Sequence, residues 1–209
     1  QFCDAVSRID GCEVCAVASK SLVRAENFAK ENGVENYYDD YEMLLEKEKP
    51  DCAYIAVTSN DHYRLSVLCV NHSVPVLCEK AMFQNSEEAK NLYALASEKK
   101  IFVMEALWSR YLPAVQQVKR WVEQEKIGMP TVLQCNIGFL APDEKENRYF
   151  NPKLGGGAAN GGVRRCGAGR EAVRAAGRGA GRRGTADALP SSPRRRAQTA
   201  AYRAKKSPA

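Results

Sequence analysis

The sequence predicts an α/β protein: an incomplete doubly wound parallel sheet, the start of a second open-sheet α/β domain, and a disordered tail. Three observations predict it. Short apolar runs alternate with amphipathic segments through the first 140 residues. The runs are continuous rather than alternating, as expected of parallel strands covered on both faces. The composition then changes abruptly after Gly157. Strand–helix–strand alternation calls for crossover helices packed on a parallel sheet.

The elements follow in order. The chain opens on Gln1-Phe2-Cys3-Asp4-Ala5-Val6, which reads as a helix already under way. A doubly wound domain begins with a strand and a glycine-rich turn, so both are expected to precede residue 1. Apolar runs place strands at residues 13–18, 52–57, 74–78, 101–104 and 131–139, with helices at 21–32, 40–48, 61–71 and 86–98 between them. In the last helix Ala89, Leu92, Leu95 and Ala96 share one face. Ser86 is its expected N-cap, with Glu87 and Glu88 in the first turn where the helix dipole favours acids. A further helix follows Pro113, with Val115, Val118, Trp121 and Val122 as its apolar stripe. The expected division is 1–106 for the first domain, 107–157 for a linking helix and the first strand of a second domain, and 158–209 for the tail.

The charge is divided as unevenly as the composition. Residues 1–157 carry 18 Lys+Arg and 23 Asp+Glu; residues 158–209 carry 13 basic residues and only Glu171 and Asp187. The tail has one Leu, two Val and no Ile, Phe, Met or Trp. Such a segment buries too little apolar surface to offset its ordering entropy. Its arginine pairs can hold phosphates electrostatically, but Tyr202 is its single aromatic, so no specific nucleic-acid partner is expected. No run is apolar and long enough to span a membrane, so no membrane partner is expected either. Most of the eight cysteines sit inside apolar runs, where free Cys behaves as a small hydrophobe, and a reducing, cytoplasmic setting is expected. Cys12 and Cys15 lack a second pair, and His62 and His72 lie far along the chain, so no metal site is expected.

In doubly wound sheets ligands sit outside the carboxyl ends of the strands. After the strand at 13–18 come Ser19, Lys20 and, one turn later, Arg24. A hydroxyl and cations there suit a ribose 2′-phosphate, where an NAD site tends to place Asp or Glu. NADP is therefore the expected cofactor; the plainer alternative has Ser19 capping a helix and both cations solvated. After the strand at 52–57 comes Thr58-Ser59-Asn60-Asp61-His62, which can bond a cofactor or simply cap the next helix through Asn60 or Asp61. After the strand at 74–78 comes Glu79-Lys80. A lysine in that place lies near a bound nicotinamide, and partial burial fits it for proton transfer.

Three segments then become specific together: Val76-Leu77-Cys78-Glu79-Lys80, Val103-Met104-Glu105-Ala106-Leu107-Trp108-Ser109-Arg110-Tyr111-Leu112-Pro113, and Lys126-Ile127-Gly128. They resemble the glucose–fructose oxidoreductase family, from residue 1 to about Ala158. The resemblance implies a Rossmann-type domain and a second α/β domain that forms the substrate pocket and a homodimer interface. It implies reversible hydride transfer between NADP and a diol or sugar hydroxyl. Lys80 matches the family's active-site lysine and Trp108 an aromatic wall of the substrate pocket. Thr58, Asn60, His62 and Glu79 match the cofactor side, and Arg110 a position near the pocket or an ion pair fixing the interdomain helix. Ala81 departs from the family's usual proline, which is expected to loosen the backbone there. Residues 149–157 resemble the approach to a helix bearing the family's Asp and Tyr groups, but the match stops. A shifted reading frame after Ala158 accounts for this and implies a chain with little or no turnover. The alternative is a non-catalytic nucleotide-binding or regulatory remnant.

Overall fold

The computed structural model describes residues 2–132, 151 and 198–204. Its elements are α1 (Phe2–Val6), β1 (Cys12–Ala18), α2 (Leu22–Asn32), β2 (Asn36–Tyr38), α3 (Tyr41–Glu48), β3 (Cys52–Ala56), α4 (His62–Asn71), β4 (Val76–Glu79), α5 (Ser86–Lys99), β5 (Val103–Ala106), α6 (Pro113–Glu123) and β6 (Gln198–Ala204). Two short 3-10 turns, Ser59–Asp61 and Trp108–Tyr111, follow β3 and β5.

Local chemistry sets the helix ends. Gly33 closes α2 at φ 67°, a left-handed conformation that costs glycine little, and its N–H donates to the Ala29 carbonyl. Asp40 Oδ1 caps α3 by accepting from Met43 N–H at 2.8 Å. The cap of α5 is Asn85 and not the expected Ser86: its Oδ1 accepts from Glu87 and Glu88 N–H at 3.1 and 2.9 Å. Either residue type can cap; the extended backbone at Asn85 (φ −151°) puts the cap one residue earlier than expected.

The six strands stand in the order β2-β1-β6-β3-β4-β5. β1 pairs with β2, β3 with β4 and β4 with β5, all parallel, as the apolar runs predicted. The short β2, Asn-Tyr-Tyr, has no apolar run to announce it. β6 lies at the centre, antiparallel to both β1 and β3. Composition placed these seven residues in a disordered tail, and that expectation fails for them. A strand flanked on both sides gains its stability from two backbone ladders, so Ala-rich sequence suffices where an edge strand would need larger side chains. Residues 158–197 and 205–209 of the expected tail lie outside the described residues. So do 133–139 of the expected strand at 131–139, while Thr131 and Val132 are described as irregular.

The main core lies on one face, where α3, α4 and α5 bring Leu44, Leu65, Cys69, Val70 and Leu92 against Ile55, Val76 and Cys78. A smaller cluster of Val17, Ala29 and Val34 packs α2 on the other face of β1. Burial alternates along β3 and β4, with Tyr54 and Leu77 half-exposed opposite the main core. Phe2 of α1 stacks on Tyr54 there, ring centroids 3.8 Å apart. Among the described residues the stripe of α6 is exposed: Val115 44%, Val118 48%, Trp121 40% and Val122 38%.

Candidate functional site

The parallel strands β1, β3, β4 and β5 end on one edge of the sheet, and the residues singled out from the sequence lie at or shortly after those ends. Register brings three of the ends side by side. Ile55 pairs with Cys78 and Glu79 with Ala106, so the turns beginning at Thr58, Lys80 and Trp108 are neighbours across about 5 Å per strand. The end of β1 stands apart from them, with β6 between.

Lys80 is exposed, so the partial burial expected for it is not found. What is well held is the backbone around it. The Lys80 N–H donates to Glu79 Oε2 at 3.3 Å, and Met82 N–H donates to Glu105 Oε1 at 2.9 Å. His62 Nδ1 lies 2.8 Å from the Ala81 carbonyl oxygen, while Nε2 lies 3.0 Å from that of Val57. Met82 anchors the segment beneath, wholly buried. The Lys80–Ala81 peptide bond is cis. Ala81 was expected to loosen this backbone; it sits instead in a segment fixed from three elements.

His62 is only 1% exposed. The resemblance placed it on the cofactor side, but its ring is engaged by two main-chain carbonyls, and it ties the end of β3 to the Lys80 segment. Glu79 is likewise engaged: Tyr54 O–H donates to its Oε1 at 2.5 Å. Burial first, and the Glu79 carboxylate second, push the Tyr54 phenol well above its ordinary 10.0. Thr58 and Asn60 sit in the turn after β3, half-buried and exposed respectively, and Thr58 makes no side-chain cap there. Trp108 is 65% exposed and Arg110 is exposed, both in the turn after β5. Among the described residues no ion pair fixes Arg110.

At the end of β1 the three expected cofactor residues differ in access, with Lys20 exposed and Ser19 buried. Ser19 is wholly buried; its N–H donates to the Tyr38 carbonyl at 3.1 Å, and its hydroxyl has no partner among the described residues. Lys20 Nζ is 2.5 Å from Asp61 Oδ2, and Arg64 Nε approaches the other oxygen of the same carboxylate at 3.6 Å. Asp61 therefore bridges cations, and its side chain does not cap α4. Arg24 is half-buried in the first turn of α2.

Sequence reasoning missed Tyr54, Glu105 and the pairing role of Asp61. A signal was present for Glu105, a lone acid inside the apolar run Val103-Met104-Glu105-Ala106, since a charge on a half-buried strand needs a partner. The hollow of about 500 Å³ lined by Leu45, Lys49, Pro50, His72 and Val74 lies at the amino ends of β3 and β4, away from these groups. Among the described residues no group of His, Cys, Asp and Glu is placed to hold a metal ion.

Comparison with known proteins locates this arrangement. The family described as "Oxidoreductase family, NAD-binding Rossmann fold" matches residues 2–107, which span β1 to β5. The trans-1,2-dihydrobenzene-1,2-diol dehydrogenase of Sus scrofa is 36% identical over 126 residues, 60% of this chain and 38% of that protein. The chain thus spans under two fifths of this curated relative's length. Among solved structures, an oxidoreductase from Agrobacterium radiobacter in complex with NAD+, L-tartaric acid and magnesium has a TM-score of 0.57 at 25% identity, over 61% of this chain and 37% of that one. A variant of a 3-ketoreductase from Actinomadura kijaniata, in complex with TDP-benzene and NADP, has a TM-score of 0.50 at 28% identity, over 56% and 35%. The matched segment carries the five parallel-sheet strands together with Glu79 and Lys80, and the chain belongs to the oxidoreductase family with the NAD-binding Rossmann fold.

Proposed function

We propose that this chain is part of an NADP-dependent oxidoreductase that acts reversibly on trans-dihydrodiols and D-xylose, with Lys80 as its proton-transfer group. The observation that carries the proposal is the convergence of Thr58, Lys80 and Trp108 at three adjacent strand ends, with the Lys80 backbone braced by Glu79, His62 and Glu105. When bound, the nicotinamide supplies hydride acceptance and donation. Proton transfer needs a group held at a fixed place rather than a free one. Bracing the main chain on both sides of Lys80 provides that place, while its exposed ammonium reaches the open edge. Trp108 offers an apolar face against which a diol or sugar ring can lie.

The residues fit the cofactor by chemistry but unequally by access. Lys20 and Arg24 are suited to a 2′-phosphate, which favours NADP, but Lys20 is paired with Asp61 and Ser19 is buried. We therefore expect the 209-residue chain to bind NADPH weakly and to turn over little. Calorimetric titration with NADPH and NADH, beside an assay of NADPH formation from a dihydrodiol and from D-xylose, tests this. Tighter binding of NADH than NADPH would remove the 2′-phosphate assignment, and steady turnover would remove the prediction of inactivity.

The second reading is a nucleotide-binding remnant without chemistry, and the exposure of Lys80, which lacks the partial burial expected of a proton-transfer group, is the observation that favours it. It predicts NADPH binding unaltered by Lys80→Met. A reducing, cytoplasmic setting is part of the proposal. A homodimer built through the second domain belongs to the same proposal. Among the described residues no helix is long and apolar enough to cross a membrane.

A further inference from the structure

Doubly wound sheets take their ligands outside the carboxyl ends of the strands, where the strand order reverses. In this sheet the order reverses about β6, with β2 and β1 on one side and β3, β4 and β5 on the other. Because β6 runs antiparallel to both neighbours, its first residues lie at the carboxyl ends of β1 and β3. Thr199 faces Ala18 and Ile55, and Gln198 faces Ala56. Two side chains mark the closure chemically. Ser19, wholly buried, and Thr199, 6% exposed, each carry a hydroxyl without a hydrogen-bond partner among the described residues. Buried hydroxyls without partners are disfavoured, so the seated strand is held at a cost at this very place. The Lys20–Asp61 pair then links the end of β1 to the turn after β3 across the start of β6.

We propose that the leading residues of β6, Gln198 and Thr199, are an internal competitor of the dinucleotide. Seated, they close the crevice at the switch point; NADP(H) enters only when they peel away, while the rest of β6 keeps the sheet joined. This rests on the dinucleotide site proposed above. The fit of β6 is suited to local release. The leading end is short: Gln198 has a register partner on β3 and Thr199 one on each neighbour, while β6 continues through Ala200–Ala204 between β1 and β3. If only a fraction of molecules is open, the apparent affinity falls by that fraction.

The test locks the mouth in the 209-residue chain. Ala56 and Gln198 are register partners, and Cα separations in antiparallel pairs fall within the range a disulfide spans. The double variant Ala56→Cys with Gln198→Cys is titrated with NADPH after oxidation by glutathione disulfide, and again after reduction, with the bond located by peptide mass spectrometry. Oxidation is expected to weaken NADPH binding by about tenfold or more, and reduction to restore it. In the unmodified chain, NADPH is expected to speed amide exchange at residues 198–200 while leaving β4 unchanged. Equal binding by the oxidised and reduced forms, slower exchange at 198–200, or failure of the two cysteines to bond would overturn the competition. Absence of NADPH binding in the reduced double variant and in the unmodified chain would overturn the dinucleotide site itself, a result distinct from equal binding.

Discussion

At the residue scale the site is a braced main chain carrying an exposed lysine. Glu105 has the clearest single duty: its Oε1 accepts the Met82 N–H at 2.9 Å, from a half-buried position at the end of β5. Glu105→Ala should therefore cost about 1–3 kcal/mol, the penalty for leaving a partly buried donor unmet. Glu105→Gln, which keeps an acceptor oxygen, should cost less; urea midpoints of the two variants decide it. The buried thiols make a separate prediction. Burial pushes Cys69 up from 9.0 to about 12, and burial pushes Cys78 up as well, offset in part by a hydrogen bond with Ser66. Both are bound as neutral thiols in the folded chain, so their contribution to stability is complete below pH 9 and is lost as pH rises from 9 toward 12. Denaturation midpoints should fall between pH 8.5 and 11 and fall less in Cys69→Ala measured against its own value at pH 8.5. The sequence located Lys80, Glu79 and Thr58 because a strand end is legible from an apolar run. Their partners were not legible, because His62 and Ala81, or Glu105 and Met82, meet only through folding.

At the element scale the parallel strands were legible because each is an unbroken apolar run, and α2 to α5 because each presents one apolar face. Leu92 shows what that face does: it is wholly buried in α5 within the main core. Leu92→Ala should destabilise by about 2–5 kcal/mol, read from thermal or urea unfolding. Where the elements departed from expectation, the causes are local. The Asn85 cap turned on a backbone angle that composition does not encode, and β2 is three residues long with two tyrosines half in water. α6 formed where its periodicity said, with Pro113 in its first turn where the lost N–H is harmless. Its apolar stripe is where the sequence put it, and among the described residues that stripe is exposed. Periodicity tells which face is apolar; it does not say whether another element arrives to cover it.

At the scale of the whole molecule β6 decides the connectivity. β1 and β2 are hydrogen-bonded to the remaining strands only through it, among the described residues. Ala201, wholly buried at the middle of β6, is the sharpest probe of that role. Ala201→Asp puts an unpaired charge into the core, and such changes lie in the upper tail of single-site effects, above about 3 kcal/mol. Loss of cooperative unfolding in this variant is expected by circular dichroism; an unchanged melting curve would show that β6 carries none of the sheet's stability. Composition failed here for a definite reason. Disorder is read from what side chains can bury, and a strand inserted between two open edges is recruited by backbone amides and carbonyls that every residue except proline supplies in full.

Position in the chain gives β6 a further consequence, in the time during which the protein is made. Ala56 ends β3, and Ala204 ends the strand that pairs with it, 148 residues later. At roughly 5–20 residues per second, a ribosome takes on the order of 7–30 s to travel that distance. Throughout that interval no other strand among the described residues covers the facing edges of β1 and β3, and bare edges recruit strands from other polypeptides. Yield of the native protein should then depend on how quickly the last strand is delivered, and slow translation beyond Ala56 should favour inclusion bodies over soluble product.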